Sequence, residues 1–242
     1  MKSYRRLDYD TIDSTNTEAK RLFLNGVREN TLVCARHQSA GRGRSNRFFY
    51  SPANTGIYMT VLVPLKTSLN DVIAVTTAVS VYTAEALERF AGIKPGIKWV
   101  NDIYVNGRKA CGILAEAVFD GTDSGIVVGV GINVSTEVFP DDIKEIATGI
   151  GEIGAEAREK VTDYIATKVC EFCDNPKDRS YMDTYRRLSL CLGHEVTFIE
   201  NGINTYATAE DIDDEGGLIV RTEDGKTRTL NSGEISLRLG RL

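Results

Sequence analysis

The stretch Lys98-Trp99-Val100-Asn101-Asp102-Ile103-Tyr104-Val105-Asn106-Gly107-Arg108-Lys109-Ala110-Cys111-Gly112-Ile113-Leu114 carries the reading of the fold. Asn106-Gly107 stands between two runs with apolar and β-branched residues. This dipeptide suits a two-residue turn whose central residues both take positive φ, so the segment predicts a β-hairpin. Further strands are expected near Ile97–Trp99 and at Ile113–Phe119, and a second hairpin brings the chain back through Ile126–Val134. That last run is almost all β-branched or Gly, as in a strand buried on both faces.

Upstream, an irregular strand turns into a helix at Asp13-Ser14-Thr15-Asn16. Any of these side chains can accept an orphan N–H, and Thr15 with Glu18 fits a capping box. Ala19, Leu22 and Phe23 form its buried face, and Gly26 stops it. Thr31–Arg36 and Ile57–Pro64 read as strands, with a loop over His37–Arg47 between them. Asp71–Phe90 is a long helix ended by Gly92 and Pro95. Residues 155–190 read as two helices, the first with Val161, Ile165, Val169 and Phe172 on one face. From Gly193 the pattern changes to short strands at Glu195–Ile199, Thr205–Ile212, Leu218–Thr222, Thr227–Leu230 and Ile235–Leu239. Asn201-Gly202, Gly216-Gly217, Asp224-Gly225 and Ser232-Gly233 divide them, which predicts a small β barrel of about 50 residues. The expected division is a catalytic domain over 1–190 and a barrel over 191–242.

The chain has 242 residues, 42% hydrophobic and 26% charged, with 5 Pro. That is a globular composition, and it excludes collagen-like and disordered classes. With 29 Lys+Arg against 34 Asp+Glu, the net charge of −5 argues against coating nucleic-acid phosphates. Five Cys without regular spacing point to a reducing compartment. Met1–Asp10 has no signal-peptide pattern, and Val72–Leu87 is too polar to span a bilayer. A soluble cytoplasmic protein, bound to neither membrane nor DNA, is the expectation.

Five constellations bear on chemistry. Gln38-Ser39-Ala40-Gly41-Arg42-Gly43-Arg44 combines glycines that let a ligand approach the backbone with forked guanidinium donors for phosphate or carboxylate. A solvated basic turn is the alternative. Arg36, Arg42, Arg44 and Arg47 in a stretch without an acid, within an acidic chain, favour a small anionic ligand. Asp102 and Lys109 fall at comparable height across the hairpin, either orienting a reactant or forming a cross-strand ion pair worth under about 1 kcal/mol. Gly129-Val130-Gly131-Ile132-Asn133 ends a buried strand, and its glycines make room for a ligand or a neighbouring backbone. Gly149-Ile150-Gly151-Glu152-Ile153-Gly154 has the dinucleotide-binding spacing but no strand before it, and Glu152 stands where a pyrophosphate should. Cys170, Cys173, Cys191 and His194 outline a zinc site, against which buried reduced thiols are the commoner outcome; no metal ligand is assigned. His37 reads as an exposed loop histidine.

Together, Asp13-Ser14-Thr15-Asn16, Gln38–Arg44, Lys98–Ile103, Arg108–Leu114 and Gly129–Val134 have the order and spacing of biotin–protein ligases, and the chain resembles that family over nearly its whole length. The resemblance implies an α+β fold: a mixed sheet with packed helices, as in class II synthetases and lipoate ligases, and a C-terminal SH3-like barrel. It also implies a reaction in which biotin and ATP give biotinyl-5′-AMP and pyrophosphate, with Mg²⁺, before biotin passes to a lysine of a biotin carboxyl carrier protein. Ser14, Thr15, Asn16 and Gln38 would then bind the ureido ring, helped by the Gly41–Arg42 backbone and Gly43. Arg42 and Arg44 would hold the activated carboxyl and phosphates, Lys109 would contact both, and Asp102 would complete the catalytic set. Asn101 and Asp102 would line the nucleotide and acceptor side, while Gly112, Gly131 and Asn133 shape the pocket. The loop over 38–47 would order on biotin binding and shield the adenylate.

Two departures stand out. Phe49 occupies the position where the family usually has an adenine-stacking Trp, which bears on nucleotide affinity. Val100 replaces a Pro, relaxing one backbone constraint. The chain starts at the catalytic domain, so the DNA-binding winged helix of bifunctional members is expected to be absent, and repression with it. A homodimer through a sheet edge is left open. The rivals are lipoyl or octanoyl transfer on the same fold and a non-catalytic zinc-stabilised interaction module. The polar set at residues 14–16 and 38 suits a ureido ring better than an alkyl chain.

Overall fold

The computed structural model describes residues 3–72, 74–200, 202–231 and 235–237. Asn201, the Ser232-Gly233 turn and the end of the last expected strand, Arg238-Leu239, lie outside these. Strand β1 (Arg5–Ile12), helix α1 (Thr15–Leu24) and strand β2 (Thr31–Gln38) form a unit in which the two strands are parallel. Helix α1 makes the crossover that a parallel pair requires. Strand β3 (Gly56–Pro64) runs antiparallel to β2. Helix α2 (Val75–Ala91) leads to β4 (Gly96–Lys98), β5 (Asp102–Val105), β6 (Arg108–Asp120) and β7 (Asp123–Asn133). They complete a mixed sheet in the order β1-β2-β3-β7-β6-β5-β4. Helices α3 (Gly154–Asp174) and α4 (Met182–Leu188) follow.

The Asn-Gly hairpin forms as its chemistry requires, with φ of 50° at Asn106 and 75° at Gly107. Beyond it, the two strands expected on either side of Gly112 are one thirteen-residue strand, β6. Helix α2 starts later than the pattern suggested. Leu69–Val72 forms a separate 3₁₀ turn, where Ser68 Oγ accepts from the Asn70 N–H. At its end Gly92 takes φ 67° and donates to Glu88 O, closing the last turn.

Both faces of the sheet are covered, which is why its inner strands lack clear alternation. On one face Val33, Leu62, Val118 and Val127 pack against Ala19 and Phe23 of α1. Leu32, Val61 and Val128, their neighbours in sequence, point the other way into the larger core with Val79 and Leu87 of α2 and Ile165 and Val169 of α3. The α3 stripe expected from sequence is therefore the buried one. Full burial of a side chain such as Phe23 is worth about 1.5–3 kcal/mol.

The expected all-β unit comprises β8 (Glu195–Glu200), β9 (Ile203–Ile212), β10 (Leu218–Thr222), β11 (Thr227–Leu230) and β12 (Ile235–Leu237). They form an antiparallel sheet in the order β11-β10-β9-β8-β12. This sheet shares the larger apolar core with the rest of the chain and is also tied to it by polar contacts. Trp99 Nε1 donates to Gly216 O at 2.8 Å, and Arg186 Nε donates to Ile212 O at 2.8 Å.

Candidate active site

One cleft of about 220 Å³ opens on the α1 face of the sheet, at the N-terminal end of that helix. Its floor is set by strand register. Thr60 of β3 pairs with Gly129 of β7, which pairs with Leu114 of β6; one row along, Tyr58, Gly131 and Gly112 align in the same way. Facing residues on neighbouring strands share a side of the sheet, so three glycines clear one patch. A Cβ on Gly129 would overlap Asn16 Oδ1, and one on Gly131 would lie 2.5 Å from the Phe49 ring. Asn16 and Phe49 thus occupy the space that the glycines leave.

Of the residues expected to form a site, Ser14, Thr15, Asn16, Gln38, Arg42, Gly43, Arg44, Phe49, Asn101, Asp102, Lys109, Gly112, Gly131 and Asn133 line this cleft. Gly41 does not line it. It is buried against Phe49 and Ser51, with its carbonyl accepting from the Phe49 N–H at 2.9 Å.

At one end the groups are neutral and buried. Gln38 Oε1 accepts from Thr15 N at 2.8 Å and from Thr15 Oγ1 at 3.1 Å, while Gln38 Nε2 donates to Ser51 Oγ at 2.9 Å. The Thr60 hydroxyl, fully buried, shares its hydrogen between Thr15 Oγ1 at 2.8 Å and Asn16 Oδ1 at 2.7 Å. This network displaces the expected capping box. Ser14 is the N-cap residue, but its side chain makes no capping bond, and Thr15 is committed to Gln38. Glu18 accepts from Tyr9 Oη and Arg21. Partners distant in sequence have outcompeted the local cap.

The other end is cationic. Lys109 Nζ lies 2.7 Å from Asp102 Oδ1, with the two side chains 33% and 22% exposed, so the pair faces the cleft rather than bulk solvent. The register differs from the one expected. Asp102 pairs with Gly112 and Lys109 with Tyr104, and an irregularity after Ile103 offsets the strands; the length of the lysine side chain bridges the difference. Arg44 donates to Asn101 Oδ1 at 3.0 Å, and Asn101 Nδ2 donates to Ile113 O at 2.7 Å. Arg42 pairs with Glu116 at 3.0 Å. Arg36, by contrast, lies on β2, exposed and beside Asp10, and His37 is half-buried on that strand rather than in a loop. The Trp99–Val100 peptide is cis although residue 100 is Val. Asn133 Oδ1 is buried and accepts no hydrogen bond among the described residues.

Sequence reasoning missed Thr60 and Glu116. The first is hidden in a run of apolar neighbours. The second had a signal, as the lone charged residue within Ile113–Phe119. Burial pushes the Glu116 carboxyl up, but hydrogen bonds from Asn16 and Lys20 and the charges of Lys20 and Arg42 outweigh it and hold the group below its usual range.

The cysteine pattern does not assemble. Cys191 Sγ accepts from the Trp99 N–H at 3.4 Å, and His194 is exposed. Burial in α3 pushes the thiols of Cys170 and Cys173 up to about 11 and about 12. Among the described residues, no three His, Cys, Asp or Glu side chains are grouped to hold a metal. The glycine spacing at 149–154 opens α3 instead of a nucleotide loop, with Glu152 Oε1 accepting from Gly154 N at 3.1 Å. No helix among the described residues is long and apolar enough to cross a membrane.

A glycine-floored cleft with a neutral polar end and a cationic end, set on a mixed sheet, defines an α+β protein built to hold a polar small molecule beside anionic groups. The chain belongs to the biotin/lipoate A/B protein ligase family, whose profile matches residues 9–133. The profile of the biotin protein ligase C-terminal domain matches residues 191–238. The bifunctional ligase/repressor BirA of Bacillus spizizenii is 34% identical over 242 residues, covering 94% of this chain and 72% of that protein. The biotin–[acetyl-CoA-carboxylase] ligase of Paracoccus denitrificans is 30% identical over 230 residues, covering 88% and 93%. Among solved structures, the biotin protein ligase from Aquifex aeolicus in complex with biotin and ATP superposes with a TM-score of 0.78 at 28% identity, covering 97% of this chain and 98% of that one.

Proposed function

We propose that the chain is an ATP-dependent biotin–protein ligase, which activates biotin as biotinyl-5′-AMP and passes it to a lysine of a biotin carboxyl carrier protein. The observation that carries this reading is the meeting, in one cleft, of a buried neutral hydrogen-bond network with Arg42, Arg44 and Lys109. A free carboxylate is anionic and has no good leaving group, so it acylates poorly. In the first step a biotin carboxylate oxygen attacks the α-phosphorus of MgATP and pyrophosphate leaves. In the second, the carrier ε-amine attacks the acyl carbon, AMP leaves with the C–O bond electrons, and the amine loses a proton.

Each group has a role that its surroundings support. Asn16 has both amide hydrogens engaged, by Leu114 O and Glu116, so its carbonyl oxygen is the atom left to accept from a ureido N–H. Gln38 keeps one amide hydrogen for the ureido oxygen, and the Ser14 hydroxyl, not spent on capping, faces the same space. Arg44 and Lys109 spread the charge that builds on carboxylate and α-phosphate, and Asp102 orients Lys109. Phe49, over Gly112 and Gly131, offers the adenine a smaller π surface than Trp. The open acceptor of Asn133 suits the adenine amino group. Mg²⁺ enters with the phosphates as part of the substrate. The reaction belongs in the cytoplasm, where its carrier would be made, and a sheet-edge homodimer is compatible with the outer edge of β1.

The test is pyrophosphate release with MgATP and either biotin, lipoate or octanoate. Biotin-dependent release, with little from the other acids, is the expected outcome. Release with lipoate or octanoate alone overturns the substrate assignment, and no release with any acid overturns the enzymatic one.

A further inference from the structure

Glu116 is not among the residues that line the cleft, yet it touches two elements that do. On β6 it pairs with Val127, one row from Leu114 and its partner Gly129, the glycine that lies beneath Asn16 of α1. Its Oε2 accepts from Asn16 Nδ2 at 3.0 Å. Its Oε1 accepts from Lys20 Nζ at 2.7 Å and from Arg42 Nη2 at 3.0 Å. The Glu116 side chain is 18% exposed, against 41% for Arg42. One largely buried carboxylate oxygen therefore serves two cations, while the other serves the amide beneath the neutral end of the cleft. Removing the negative charge would leave Lys20 and Arg42 as like charges facing each other, and would free Asn16 to turn.

We infer that Glu116 is a positioning residue, coupling the seating of biotin at Asn16 to closure of the Arg42 loop over the adenylate. The inference rests on the ligase reading above. Lys20 competes with Arg42 for the same oxygen, so it sets how tightly the loop is held. The two neighbours of Glu116 thus act in opposite directions on one observable, the escape of adenylate from the closed cleft.

The experiment uses the full chain with labelled biotin and MgATP but no acceptor, following adenylate retention after rapid gel filtration. Glu116→Gln is expected to speed escape several-fold, no further than Arg42→Ala does, on the scale of losing one partly exposed ion pair, and to raise the KM for biotin more than it lowers the kcat of pyrophosphate release. Glu116→Asp should recover part of the loss. Lys20→Met should slow escape, because Oε1 then serves Arg42 alone. The double variant Glu116→Gln/Arg42→Ala should escape no faster than Arg42→Ala. A purely structural role would lower Tm in both the Glu116 and Lys20 variants without opposite effects on escape. A folded Glu116→Gln variant that retains adenylate like the wild type overturns the inference, as do independent effects in the double variant. If Glu116→Gln does not fold, faster escape from Lys20→Met overturns it by itself. A wild-type chain that forms no adenylate overturns the ligase reading instead, which separates the two failures.

Discussion

At one end of the cleft Thr15, Gln38 and Thr60 are buried and bonded to one another without a formal charge. At the other, Arg42 is 41% exposed and held to Glu116 by an ion pair. Neutral hydrogen bonds in a dry environment are costly to leave unmade and weakly dependent on salt, so they fix geometry. An ion pair near solvent is screened and exchangeable, so it suits a part that must open for one ligand and close on the next. The contrast teaches that recognition and closure are separate devices here, joined at the carboxylate of Glu116.

The largest effect is expected from Lys109→Ala. It removes a charge from the cationic end without opening the core, so pyrophosphate release should fall by about 10²–10³ with Tm unchanged. Normal release would remove Lys109 from the reacting centre. Gly129→Ala tests the neutral end, since its Cβ overlaps Asn16 Oδ1. Overpacking costs about 1–3 kcal/mol, so calorimetry should show weaker biotin binding, while unchanged affinity would mean that Asn16 is not a contact.

Arg42→Ala should leave transfer intact and let adenylate leak several-fold faster, on the scale of one modest ion pair; unchanged retention would deny the loop its role in closure. Raising salt on the wild type should mimic that change, quickening escape while biotin affinity at the neutral end stays put. Equal sensitivity at both ends would erase the distinction. The smallest effect is in pH. Because Glu116 is held below its ordinary 4.5, its stabilising contribution is fully present above that value and is lost as pH falls through the lowered one. The difference in urea stability between wild type and Glu116→Gln should be flat above pH 4.5 and shrink below it.

Much of this was legible in the sequence for identifiable reasons. The Asn106-Gly107 turn follows from local φ requirements, and the glycines at 129 and 131 from a strand that needs bare backbone beneath a neighbour. The α3 stripe follows from helical period. What was not legible depended on register. Thr60 sits in the apolar run Tyr58–Val63 because both faces of β3 are covered, so no alternation marks it as polar for a purpose. The meeting of Lys109 with Asp102 across offset strands depends on an irregularity after Ile103 that no turn residue signals. The loss of the capping box required knowing that Gln38 would arrive beside Thr15 from a parallel strand.

The most direct measurement is the intact mass of a purified biotin carboxyl carrier domain after incubation with the chain, biotin and MgATP. A gain of one biotinyl group on the acceptor lysine, dependent on ATP and absent with Lys109→Ala, is predicted. An unmodified carrier domain under conditions in which the chain is folded and binds biotin would contradict the assignment.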